Sequence, residues 1–122
     1  MLSVKSYDSA FVAQCRARLS TALAAAPDDP LVLNELIVAL DASFMHRMRG
    51  QEGKDGNPLN EVRMLANAII GNGAILAADS TIKYDPAKSI TKIAVGDGIS
   101  PNKATVTQLA SAVFAEIEKR FG

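Results

Sequence analysis

A chain of 122 residues, 48% hydrophobic and 21% charged, has the composition of a single globular domain spanning residues 1–122 and is long enough to bury a core, which argues against a disordered chain. Thirteen Lys and Arg balance thirteen Asp and Glu, so the formal net charge is zero and the basic excess of a general nucleic-acid binder is missing. The lone cysteine, Cys15, leaves no internal disulfide to form and fits a reducing compartment. The opening MLSVKSYDSAF lacks a charged start followed by an apolar run, and no stretch approaches the roughly 18 apolar residues of a membrane span. Neither a secretory signal nor a membrane partner is expected, and the expected location is the cytoplasm.

Prolines punctuate the chain. Four of the five follow a capping-type residue: Asp29-Pro30, Asn57-Pro58, Asp85-Pro86 and Ser100-Pro101. Asp, Asn and Ser accept hydrogen bonds from the unpaired amides of a helix start, and proline suits the first helical position, where no amide hydrogen is needed. Three of the pairs precede apolar runs of helical period, whereas Asp85-Pro86 reads as a turn.

The first helix is expected over residues 9 to about 26, capped by Asp8, with Phe11, Cys15, Leu19, Ala22 and Leu23 on one stripe and Pro27 as its stop. The second is expected over 30 to about 49, with Leu33, Leu36, Ile37, Leu40, Phe44 and Met48 as the main stripe. Leu31, Val32, Val38 and Met45 make it apolar nearly all round, the mark of a central helix. A glycine-rich loop, 50–56, leads to a third helix over 58–70, ended by Gly71-Asn72-Gly73. Residues 74–99 have no helical period. Thr81-Ile82-Lys83-Tyr84 and residues 90–95 are short, β-branched and partly alternating, and predict a small hairpin, with Lys83, Lys88 and Lys92 guarding its edges. The fourth helix, over about 101–121, carries Val106, Leu109, Ala110, Val113, Phe114, Ile117 and Phe121 on one face, and Lys119 and Arg120 complement its dipole. The expected fold is mainly α: a compact four-helix bundle-like domain with a two-stranded β-hairpin between the third and fourth helices. Two strands alone are marginal, so the hairpin must pack on the bundle or pair with another chain.

The richest stretch in chemistry-bearing side chains is HRMRGQEGKDGNPLNEVR, residues 46–63. It predicts a convergence of His46, Arg47, Arg49, Asn57, Asn60, Glu61 and Arg63 around the loop and the start of the third helix. A helix N-terminus attracts anions through free amides, and arginine grips phosphate or carboxylate with two N–H groups. Arg63 lies off the core stripes, so its removal is expected to weaken an anion without harming the fold. The competing reading is a solvated, internally salt-bridged connection, since Glu52, Asp55 and Glu61 offset the basic residues and Asn57 already caps the helix. The GxxxxGK[ST] phosphate loop is absent. His46 reads as a dipole-complementing residue in a last helical turn, and with no second histidine and Cys15 far off, no metal site or other cofactor is expected. Asp41, inside the second helix, needs a partner if buried, with Arg63 or His46 as candidates. Cys15 belongs to an apolar stripe and reads as core, not as a nucleophile.

Three functions follow in order. The first is a helical interaction domain that forms a homo-oligomer or binds another protein, because the second helix is apolar on more sides than one small bundle uses. The second is a ligand-binding or catalytic domain with an anion site in residues 46–63, although no catalytic constellation is recognisable. The third is a nucleic-acid accessory protein, for which stacking aromatics are scarce.

Overall fold

The computed structural model describes residues 3–122 and places five helices: α1 (Ser9–Ala25), α2 (Pro30–Ala42), the single-turn α3 (Arg49–Glu52), α4 (Pro58–Gly71) and α5 (Lys103–Phe121). Local chemistry starts each long one. Asp8 accepts the Ala10 amide at 2.9 Å, Asp29 that of Leu31 at 3.0 Å, and Asn57 those of Leu59 and Asn60 at 3.0 and 3.3 Å. Pro30 and Pro58 occupy the first helical turn. The last helix begins two residues later than its proline suggests. Asn102, not Ser100, caps it, accepting the Thr105 amide at 2.9 Å, and Pro101 is buried ahead of the helix.

α2 stops at Ala42, not near Arg49. The Ser43 hydroxyl donates to the Ala39 carbonyl at 2.9 Å, and the chain then tightens through Phe44 N to Asp41 O at 3.1 Å and Arg47 N to Phe44 O at 3.1 Å. Serine bonding back to the preceding turn bends helices. The turn drives Phe44 fully into the core and sends Arg47 back over the Asp41 and Phe44 carbonyls, which it shares with backbone amides. Beyond it, residues 46–48 pair with Val4, whose amide donates to His46 O at 2.7 Å and whose carbonyl accepts from Met48 N at 2.9 Å.

One core unites the helices. α2 packs chiefly on α4, and α5 closes against α4 and α1. Leu33, Ile37 and Leu40 meet Leu59, Val62 and Leu65 and the α5 stripe from Val106 to Phe121. α1 is peripheral, burying only Val12, Cys15 and Leu19.

The expected hairpin does not form: the described residues contain no β-strand, only isolated bridges. Two contacts and one backbone angle account for this. The Ile90 and Thr91 amides donate to the Glu61 carboxylate, both at 2.9 Å, instead of to a facing strand. The Lys83 amide pairs with Lys54 O at 2.7 Å in the loop before α4. Lys92 sits at φ 60°, a left-handed conformation that ends an extended run. The 74–99 segment is a wrapped loop anchored by buried Leu76, Ile82, Ser89 and Ile99.

Candidate functional site

The bend after α2, the turn of α3 and the first turn of α4 converge on one carboxylate. Glu52 is fully buried. Its Oε1 accepts from Arg47 Nε and from Arg63 Nη2 at 2.8 Å, and its Oε2 accepts from Arg49 Nη1 at 2.7 Å and Arg63 Nη2 at 3.0 Å. Arg47, itself buried, reaches further: Nη2 donates to Asp41 Oδ1 at 2.8 Å and Leu59 O at 3.0 Å, and Nη1 to Phe44 O at 3.0 Å. Three guanidiniums thus face two carboxylates, Glu52 and Asp41.

The loop behind this cluster is saturated by asparagines. Asn57 Nδ2 donates to Glu52 O at 2.7 Å while its oxygen caps α4. Asn60 Nδ2 donates to Asp55 O at 2.8 Å and its Oδ1 accepts from Arg49 Nη1 at 3.0 Å. From α5, Arg120 Nη1 donates to Glu52 O at 2.8 Å, tying the last helix to the loop. Two glycines suit this loop: Gly53 holds φ +76°, the left-handed region that favours glycine, and a Cβ at Gly56 would stand a tight 3.1 Å from the Lys83 carbonyl.

Burial alone pushes the Glu52 carboxyl up. The facing Arg47 and Arg63 overcome it and hold the group below the ordinary carboxylate range. The hub is therefore an ionised acid at neutral pH.

Of the seven residues singled out in the sequence, Arg47, Arg49, Asn57, Asn60 and Arg63 meet in this cluster. Glu61, in the same first turn of α4, is turned away from the cluster, where it is buried beneath Ile90 and Thr91 and also accepts the Thr91 hydroxyl at 2.7 Å. His46 is exposed and outside both, contributing only its carbonyl to Val4; it is not in a last helical turn, since α2 has already ended. Asp41 pairs with Arg47, not with Arg63 or His46. Arg63 is not free of the fold: it neutralises a buried acid. Two residues of the cluster escape a sequence reading, Glu52 as its centre and Arg120 as its tie. The i,i+3 spacing of Arg49 and Glu52 is a usable signal only once the single turn of α3 is known.

Two openings bear on function. A cleft of about 260 Å³ beside the cluster is lined by Arg49, Gly50, Gly53, Lys54 and Thr81. A larger one, about 370 Å³, is an apolar groove between α1 and α2 floored by Phe114 of α5; Cys15, Leu19 and Ala22 form one wall, Leu36, Ala39 and Leu40 the other, and Arg18 is its single charged lining residue. Among the described residues no three His, Cys, Asp or Glu side chains gather to hold a metal ion, and no helix is long and apolar enough to cross a membrane. Comparison of the chain with protein-family models, curated proteins and solved structures finds no match in any of the three.

Proposed function

We propose that the domain is a helical protein-interaction module, working in the cytoplasm, whose contact surface is the α1–α2 groove. The observation that carries this reading is the groove itself: an open apolar trough of about 370 Å³ with one charged side chain on its wall. The α2 wall extends the apolar surface: Val32, one turn ahead of Leu36, is 38% exposed. Contiguous exposed apolar surface of this kind marks association sites. On this reading the Glu52 cluster is a clamp that fixes the bend after α2. A photo-crosslinking amino acid placed at Ala39 or Ala22 is expected to give a discrete adduct on irradiation in cells. The same group at Lys88, outside the groove, is expected to give none. Adducts absent from both groove positions would reject the module.

The Arg49 cleft supports a second reading, an anion subsite. Arg49 is partly exposed and Lys54 is exposed, and both line the cleft. The amides of Leu59 and Asn60 are already taken by Asn57, so Arg49 and Lys54, and not the helix start, would hold the anion. Calorimetry with inorganic phosphate and simple carboxylates tests it. Binding should fall about tenfold in Arg49→Ala, which removes one charge-assisted bond from a partly exposed position. Equal binding, or none by the wild type, ends this reading.

A further inference from the structure

We infer that the occupant of the α1–α2 groove is a second copy of this chain, docked about a two-fold axis with α1 of each copy lying on α2 of the other. The inference rests on the interaction reading and specifies its partner. Its basis is a segregation of charge between the two walls. α1 carries Arg16 and Arg18 and no acid; α2 carries Glu35 and Asp41 and no base. Two of these four are already used at home, Arg16 with Glu118 at 2.8 Å and Asp41 with Arg47 at 2.8 Å. Arg18 and Glu35 remain, both exposed and in no ion pair among the described residues.

Their positions are matched. Arg18 lines the groove, and Glu35 stands one helical turn from Ala39, which lines it from the other side. A two-fold axis makes every contact twice, so Arg18 meets Glu35 of the partner subunit and Glu35 meets the partner's Arg18. Stacking α1 on α1 would instead set Arg18 against its own copy. Small side chains at Ala22, Ala39 and Ala42 give the approaching helices room, and the dimer would cover Val32, an exposed large apolar residue one turn ahead of Leu36.

Sedimentation equilibrium of the full chain at low salt, from micromolar to submillimolar concentration, tests this. The wild type should show a concentration-dependent species of twice the 12.9 kDa chain mass. Arg18→Glu and Glu35→Arg should each weaken it about tenfold or more, because each places two like-charge pairs in the interface. The double exchange should restore it to within about threefold of wild type, because the opposite pairing returns. Both residues are exposed and unpaired, and circular dichroism on each variant verifies that the fold is kept. A wild type that stays monomeric overturns the inference, as does a dimer indifferent to the reversals or unrescued by the double exchange. A monomer that still yields groove adducts with a different protein overturns the two-fold pairing while leaving the interaction module standing.

Discussion

Replacing Glu52 with alanine is expected to cost about 3–5 kcal/mol of folding stability, a large part of the roughly 5–15 kcal/mol that a small domain possesses. The cause is the group left behind. The Arg47 side chain is 1% exposed, and without Glu52 it keeps only the Asp41 carboxylate and backbone carbonyls. Arg63 and Arg49 lose their shared acceptor at the same time. Urea unfolding of wild type, Glu52→Ala and Glu52→Gln measures the cost, and a loss of less than about 1 kcal/mol in the alanine variant would show the cluster to be dispensable. Acid supplies an independent reading. The folded-state pKa of Glu52 lies below its ordinary value of 4.5, so the unfolded chain binds the proton more readily. The ion cluster therefore stabilises fully above the ordinary value, and that contribution is lost as pH falls through the lowered one. Asp79, whose carboxylate is held down by the hydroxyl and amide of Thr81, acts in the same direction. The diagnostic quantity is therefore the difference between wild type and Glu52→Gln, whose melting temperatures should converge as the pH is lowered through that window.

What was legible in the sequence was what is decided within a few residues. Asp8, Asp29 and Asn57 cap their helices because the amide each side chain accepts is two or three residues away. Apolar spacing gave the core faces of α4 and α5 for the same reason. It failed at the end of α2, where Leu40, Phe44 and Met48 keep an i+4 rhythm across a bend made by Ser43 and held by Arg47. A buried aromatic at that spacing fits a continuing helix or a tight turn equally well. The hairpin failed on a tertiary contact. Residues 81–84 and 90–95 have strand-forming side chains, but a carboxylate 29 residues before Ile90 takes the amides that a strand pairing needs. The candidate site was legible as a place and as most of its members. Its centre was not, because a glutamate flanked by Gln51 and Gly53 has no pattern of its own. Burial, which only the assembled helices supply, turns Glu52 from a surface charge into the acceptor around which three arginines arrange themselves. Arg120 was out of reach for the plainest reason, 68 residues of separation from the carbonyl it binds.

The other large effect is expected at Phe44, on the bend itself. Its ring is fully buried and meets Tyr7 edge-on at 5.0 Å, with Phe11 and Phe114 each at 6.0 Å. Truncation to alanine removes the transfer free energy of the ring and leaves a cavity walled by three other aromatics, which together cost about 3–5 kcal/mol. For a chain of this size that corresponds to a fall in Tm of roughly 10–20 °C. Phe44→Leu, which keeps most of the volume, should lose less than half as much, and a Phe44→Ala variant melting within a few degrees of wild type would show that the ring does not anchor the bend. Phe44 and Glu52 share a unit: the Phe44 carbonyl accepts from Arg47, whose Nε is bound by Glu52. Once either change has loosened that turn, the other has less ordered structure to disrupt. The combined Phe44→Ala and Glu52→Ala variant should therefore lose less stability than the two single losses added together, by about 0.5–3 kcal/mol, the range found for residues joined through one network. Strict additivity in urea unfolding would mean that the aromatic cluster and the ion cluster hold the chain independently, and that the bend between α2 and α3 is two anchors rather than one.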